Sequence, residues 1–178
     1  MDRTPHQIIN PLTLADPVGY SHALVVTPGR TVYVGGQTSL RSDGVLTGES
    51  VVQQFDQALA NMVEALRAAG AEPVHVVSMR VYTTSVSVYR INLKTLGSVY
   101  RRHMGRYYPP MTVVGVTELL EDGAQVELEC TAVAPDEPDG AELSEAASRA
   151  LVEDVDNAFA DASEDAGDAA DARERART

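Results

Sequence analysis

Two carboxylates on the last apolar-rich segment are the first candidates for chemistry. In a β-strand over residues 124–134, alternate side chains would point to opposite faces, and one of these faces carries Glu127 and Glu129. Ionised carboxylates are costly to bury in an apolar core, so this face is predicted to meet solvent or a polar pocket. A cavity formed on it would contain Glu127 or Glu129. The opposite, apolar face consists of Val126, Leu128, Cys130 and Ala132.

Other reactive side chains give weaker signals. Glu127 and Glu129 share a face but lack further ligands at a convincing spacing, so neither a metal nor a cofactor is expected. His22 and His75 are single histidines on predicted strands and are interpreted as structural, although His22 lies next to a candidate pocket segment. Cys130 is predicted to be a small buried hydrophobe, because a buried thiol without a positive neighbour is inert.

Apolar spacing predicts the elements that must position these groups. Residues 50–69 and 88–104 have apolar side chains at three- and four-residue spacing and are each followed by a glycine, which is typical of helices. A turn over residues 28–30 predicts a hairpin between the first two strands, and a turn over residues 121–123 predicts a second between the last two. The predicted strands are residues 22–27, 31–34, 74–84 (central), 112–117 and 124–134.

This order of elements favours an α+β fold. Strand pairs at both ends, with two helices set among the strands, indicate one sheet with both helices on one face. The other face then needs a cover. Residues 1–134 are predicted to form this domain, and residues 135–178 an Ala/Asp/Glu-rich acidic tail that is partly helical or disordered.

Charge and composition exclude several classes of partner. Residues 1–134 have 12 acidic and 10 basic side chains, whereas residues 135–178 have 14 and 4, so the formal charge of −12 belongs mainly to the tail. A negative field repels phosphates and anionic lipids, so neither nucleic acid nor membrane is expected as a partner. The single cysteine excludes an internal disulfide, and the sequence lacks a signal core or an apolar run of membrane length; we expect a cytoplasmic protein.

Four motifs in order resemble the RidA (YjgF/YER057c/UK114) family. They span about residues 20–133 and keep the order and spacing of that family. The motifs are Gly19-Tyr20-Ser21-His22, Gly35-Gly36-Gln37, Tyr108-Pro109-Pro110-Met111-Thr112-Val113-Val114 and Val126-Glu127-Leu128-Glu129-Cys130-Thr131-Ala132-Val133.

The resemblance implies a chorismate-mutase-like fold. Three subunits would assemble with their sheets forming a central β-barrel, helices outside and a cleft at each interface, which supplies the missing cover. Well-known members hydrolyse enamines and imines to a 2-oxo acid and ammonia without a cofactor. By motif, Glu127 would orient the water, Tyr20 would contact substrate, and Gly36 and Gln37 would line the cleft.

Met111 departs from the family pattern. It occupies the position of an arginine that holds the substrate carboxylate, and methionine offers no hydrogen-bond donor. Three interpretations stay open. A cation from residues 101–103 or Arg106 takes the role, although these residues also suit a solvated helix end; or Met111, Tyr107 and Tyr108 form an apolar wall for a larger or less charged substrate; or the cleft binds a metabolite unchanged.

The sequence is therefore compatible with two main functions, and each candidate residue also has a purely structural interpretation. The first is an enamine/imine deaminase with altered substrate choice, and the second is a non-catalytic trimeric protein that binds a small imino or oxo acid. RNA cleavage, attached to some relatives, is disfavoured by the tail charge and the nearly neutral body. Structurally, Glu127 could be a solvated strand residue, Tyr20 or Met111 an interface packing residue, and Gly36 and Gln37 a simple turn.

Overall fold

The computed structural model describes residues 3–136, and the tail from residue 137 lies outside this part. The division at residue 134 and the state of the tail therefore stay predictions. The described residues form a four-stranded sheet, a separate two-stranded sheet and three helices. The elements are β1 (Gln7–Ile9), β2 (Ala23–Val25), β3 (Arg30–Gln37), α1 (Val51–Ala68), β4 (Val76–Thr83), α2 (Val86–Ile91), α3 (Leu93–Met104), β5 (Met111–Gly115) and β6 (Val126–Ala134).

The α1 helix follows from local sequence. Ser50 caps it by accepting a hydrogen bond from the Gln53 amide at 3.3 Å, and the Gln53 side chain accepts one from the Ser50 amide at 3.2 Å. Gly70, with φ of +72°, ends it in a conformation that L side chains rarely adopt. The predicted helix over residues 50–69 is confirmed. Its buried face is Val51, Gln54, Phe55, Ala58, Leu59, Met62, Val63 and Leu66.

The second predicted helix is broken into two. Ser85 caps α2 through the Val88 amide at 3.4 Å, and Asn92 leaves helical geometry with φ −98° and ψ 5°. The Asn92 side chain donates to the Val88 carbonyl at 2.8 Å. Asparagine competes in this way with the backbone pattern of a helix, which explains the break. Gly105, with φ of +70°, ends α3 as expected.

The four-stranded sheet has the order β3-β6-β4-β5. β5 runs parallel to β4, with Val81 opposite Val113, while β6 is antiparallel to both β3 and β4. The predicted interior position of β4 is confirmed. The predicted hairpin between the last two strands is wrong, because β6 lies between β3 and β4. Ten residues separate β5 from β6, which is long for a hairpin loop and sufficient for a crossover.

The predicted N-terminal hairpin is also wrong. β2 pairs with β1, with Leu24 opposite Ile8, in the two-stranded sheet. The Thr27 hydroxyl donates to the Pro5 carbonyl at 2.7 Å, and the Thr27 amide donates to His6 Nδ1 at 3.2 Å. These bonds hold the end of β2 against the N-terminal segment, so the turn at residues 28–30 does not fold it onto β3.

The helices cover one face of the larger sheet, as predicted. Alternate residues of β3, β4 and β6 are buried beneath α1 and α3, and they form one core with the apolar faces of these helices. The other face is open, and its Tyr33 side chain is 81% exposed. The α+β class is therefore confirmed. Within residues 3–136, no helix is both long and apolar enough to cross a membrane.

Gln54 joins three parts of the chain from inside the core. Its side chain is 2% exposed and donates to the carbonyls of Gly48 and Gly123, both at 3.0 Å. The Gln125 amide donates to its Oε1 at 2.7 Å. Gln54 thereby connects the loop before α1 and the turn before β6 to the helix.

We expect Gln54→Leu to destabilise the fold by about 2–4 kcal/mol, because the similar volume is kept while buried polar groups lose their partners. Gln57→Leu is the matched control. Gln57 lies one turn later on α1, half-buried, with one side-chain bond to Asn61, and its change should cost less than about 1 kcal/mol. Urea unfolding of the two variants measures both values, and equal costs would contradict the bridging role.

Candidate functional site

Glu127 lies on the open face of the sheet, directly over Gly36. A Cβ atom added at Gly36 would collide with the Glu127 carboxylate and lie 2.8 Å from its Cδ atom. A β-bulge between Val34 and Gln37 brings Gly36 to this position, because the register of β3 against β6 shifts there. Glu127 and Gly36, each predicted to belong to the cleft, are therefore in contact. A side chain at this point of β3 would displace the Glu127 carboxylate from its present position.

Gln37 ends β3 beside this contact. Its side-chain amide donates to the Gly35 carbonyl at 3.4 Å, and the residue is half-buried. Two of the predicted cleft residues, Gly36 and Gln37, thus lie with Glu127 in one small region. On the open face this region offers main-chain polar groups and the Glu127 carboxylate, whereas Gln37 pairs with the buried Leu128 and directs its side chain to the other face.

The two carboxylates of β6 have different surroundings. Glu129 accepts hydrogen bonds from the Arg80 guanidinium at 2.6 Å and from the Tyr82 hydroxyl at 3.0 Å. Glu127 makes no hydrogen bond or ion pair with any side chain of residues 3–136. Partial burial, with the negative charges of Glu121 and Glu129, raises the pKa of Glu127 above its ordinary value. Glu127 is therefore the carboxylate available for proton transfer or for holding water.

A groove on the helix side of the sheet brings together Tyr20, Tyr108 and Met111. It encloses about 400 Å³. Met111 lies in β5 opposite the buried Met79 and packs against the core. Tyr108 stacks on Tyr100, with ring centroids 4.9 Å apart and planes at 11°. The aromatic and thioether groups make this groove predominantly apolar.

Ser21 holds the Tyr20 segment against the groove. Its hydroxyl donates to the Tyr108 carbonyl at 2.6 Å, and its amide donates to the Pro109 carbonyl at 3.2 Å. The Tyr20 ring contacts His22 edge-to-face at 5.4 Å, and His22 Nε2 lies 2.7 Å from the Ala15 carbonyl oxygen. The N-terminal segment is thus fastened beside the start of β5.

Five of the six predicted site residues form two groups on opposite faces of the same sheet. Gly36 and Glu127 meet on the open face, and Tyr20, Tyr108 and Met111 line the groove. Gln37 joins neither group, because it pairs with the buried Leu128 and its side chain therefore points to the helix-covered face. Tyr107 is absent from the predicted apolar wall. It is buried, and its hydroxyl donates to the Val76 carbonyl at 2.7 Å. That part of the prediction is wrong, because successive residues of the extended segment point in different directions.

The basic cluster near the end of α3 divides between several surroundings. Arg102 and His103 both contact Asp56 of α1, at 3.1 and 2.5 Å. Arg106 lines a different concavity. Arg101 lines the groove, and so does Lys94, which sequence reasoning missed. Lys94 is seven residues before Arg101, so their shared helix face was the signal that could have found it.

No group of three or more His, Cys, Asp or Glu side chains within residues 3–136 could hold a metal ion. The described site contains the Glu127 carboxylate, the Tyr20 and Tyr108 hydroxyls, main-chain polar groups and the two groove cations Lys94 and Arg101. The two β6 carboxylates are the acidic groups on the open face that the sequence singled out.

Glu127 should titrate above the ordinary glutamate pKa of about 4.3, measured by carboxyl ¹³C NMR. Because folding raises this pKa, the stability that the group contributes is full at low pH and is lost as pH rises through the folded-state value. Glu129→Gln should lower the Glu127 midpoint by removing a nearby negative charge, and Glu64→Gln on α1 should leave it unchanged. A midpoint at or below the ordinary value would contradict the description.

Comparison with known proteins places this arrangement in a family. The sequence model described as Endoribonuclease L-PSP matches residues 13–134. The human 2-iminobutanoate/2-iminopropanoate deaminase is 30% identical over 115 residues, which are 64% of this chain and 79% of that protein. The mouse protein of the same name is 33% identical over 115 residues, covering 64% and 80%.

Solved structures agree. YyfB of Yersinia pestis, a Rid-family protein described as of unknown function, has a TM-score of 0.67 at 33% identity, with 72% of this chain and 98% of that chain covered. RidA from an Antarctic Psychrobacter has a TM-score of 0.52 at 28% identity, with 67% and 92% covered. The fold, the order of the motifs and these matches agree: the chain belongs to the RidA (YjgF/YER057c/UK114) family.

Proposed function

We propose that this protein is a cofactor-free enamine/imine deaminase that acts in clefts between three copies of the chain. Family membership and the deaminase names of the relatives support the reaction class. The observation that carries the proposal is the Glu127 carboxylate. It lies over Gly36 on an open face, has a raised pKa, and has no cation or donor among the other side chains of residues 3–136.

The separation of the site residues into two groups supports the proposed assembly. In one chain the sheet separates the Met111 groove from Glu127, so neither side alone offers both a substrate pocket and a water-holding carboxylate. In the trimer that the family resemblance implies, the open face of one copy meets a neighbour, which could bring the neighbour's groove to Glu127. The exposed Tyr33 belongs to the surface that such an assembly would cover.

Hydrolysis then needs few groups. Water held by Glu127 attacks the imine carbon as the carboxylate accepts a proton, and the nitrogen is protonated to give a carbinolamine. The carbinolamine hydroxyl then gives its proton to the Glu127 carboxylate, which passes a proton to the amino nitrogen, so that the carbon–nitrogen bond breaks with release of ammonia and the oxo product. A carboxyl pKa shifted toward neutrality suits the same group to accept and return a proton. The Tyr20 hydroxyl would contact the substrate.

Met111 sets the substrate choice in this proposal. An apolar side chain at the mouth of an aromatic groove favours substrates with larger apolar groups over three-carbon imino acids. The same observation favours the second candidate, a trimeric protein that binds an oxo or imino acid without turning it over. RNA cleavage gains no support from the described residues, whose Glu127, Glu129 and Glu121 would repel phosphates near the open face.

Glu127→Gln should abolish ammonia release from imino acids generated in situ by an amino-acid oxidase, with at least a ~100-fold loss expected for a missing acid–base group. Glu64→Gln, an exposed change on α1, should keep wild-type rates. Light scattering of the wild type and of both variants should give, for each protein, a mass three times that of the single chain. A monomer, or wild-type rates in Glu127→Gln, would contradict the proposal. Saturable oxo-acid binding without turnover would select the binding function.

Met111→Arg should raise activity on 2-iminopropionate by about 10-fold or more, because a guanidinium adds a charge-assisted bond to the substrate carboxylate. Met111→Leu is the control that keeps an apolar side chain and should not gain activity. Rates are compared by release of the 2-oxo acid. Equal rates in the Arg variant and the wild type would show that this position does not contact the substrate.

A further inference from the structure

We propose that Lys94 and Arg101 form the anion-binding end of the groove, and that they select 2-imino or 2-oxo acids with an aromatic or branched apolar side chain. The inference rests on the proposed function for its site and names the substrate class. It moves the carboxylate contact from β5, where Met111 offers no donor, to the neighbouring helix α3.

Both cations belong to one helix face that borders the groove. Lys94 and Arg101 are seven residues apart, which is two helical turns, and Gly97 lies between them on the same side. Gly97 has no side chain, so the Arg101 side chain can lie close to the helix backbone between the two cations. A Cβ atom there would lie 3.6 Å from Arg101 Nη1, which shows that the guanidinium extends back across this gap.

These two cations also differ from their neighbours in charge pairing. Arg102 and His103 contact Asp56, whereas neither Lys94 nor Arg101 forms an ion pair with any residue of the described range 3–136. Arg101 Nη2 donates to the Ser98 hydroxyl at 3.3 Å, a neutral partner that orients the group without neutralising it. An anionic ligand would therefore meet two positive charges that no described carboxylate competes for.

The rest of the groove indicates what the anion is attached to. Its walls are apolar or aromatic, and Phe55, Tyr89 and Leu96 are buried. The enclosed volume of about 400 Å³ falls in the range of about 300–1,000 Å³ that ligand pockets occupy. An aromatic side chain could stack in line with Tyr108 and Tyr100. A carboxylate at the α3 end and an aromatic group near Met111 would use both surfaces at once.

The test measures binding of phenylpyruvate, a stable aromatic 2-oxo acid, and of phenylacetone, its neutral counterpart, by calorimetry. Arg101→Gln and Lys94→Gln should each weaken phenylpyruvate binding about 5- to 10-fold, since the charged bonds are partly exposed. Phenylacetone binding should not change. Arg106→Gln removes the same charge from a different concavity and should leave both affinities unchanged. In turnover of the matching imino acid, KM should rise while kcat stays constant.

The outcomes separate this inference from the proposed function. Unchanged phenylpyruvate affinity in both groove variants, or no binding to the wild type, overturns the inference even where Glu127-dependent turnover is found. An equal loss in Arg106→Gln also overturns it, because the effect would then be one of net charge. Charge-dependent binding without turnover supports the anion site and overturns the deaminase proposal.

Discussion

β6 places alternate residues in the buried core and on the open face of the sheet. The rest of the fold depends on this alternation. Leu128 and Val126 are fully buried under the helices, while Glu127 and Glu129 point to the open face. Because the strand is interior, paired on both sides, it cannot slip without exchanging these faces. The core and the candidate chemistry are therefore fixed by the same register.

The two carboxylates on the open face belong to the same residue type but have different neighbours. Glu129 accepts hydrogen bonds from Arg80 and Tyr82, while Glu127 lies near other negative charges and contacts the backbone of Gly36. The pairing gives Glu129 a structural role, whereas Glu127, with a raised pKa and no side-chain partner within residues 3–136, is the candidate for the reactive group. Two glutamates two residues apart can thus have different roles.

Local sequence was sufficient to predict the α1 helix and the face of Glu127, but it was not sufficient to predict how the strands pair. The α1 helix carries its own cap, apolar face and terminal glycine, so it could be predicted almost to the residue. The face of Glu127 followed from simple alternation. Strand partners could not be predicted in the same way, because pairing is decided between distant segments: β2 joins β1, and β5 joins β4 in parallel. The glycine motif suggested a cleft residue, but the contact of Gly36 with Glu127 needs the cross-strand register.

The groove shows a similar limit. Met111 and Tyr108 were identifiable from their motif, whereas Lys94 becomes relevant only when folding places it in the lining of the same groove. Asn92, whose side chain interrupts the helical pattern, separates α2 from α3. The seven-residue spacing places Lys94 and Arg101 on one helix face, but only the folded chain shows that this face borders the groove.

The β-bulge at Gly35-Gly36 has a consequence for anyone who redesigns this protein. A flexible, irregular pair of glycines in a strand is an obvious target for thermostabilisation, by deleting one residue or by giving both a side chain. Deleting one residue would remove the bulge, and a side chain at Gly36 would displace the Glu127 carboxylate, whereas a side chain at Gly35 would meet no neighbouring atom. The two glycines are therefore not equivalent targets for stabilisation.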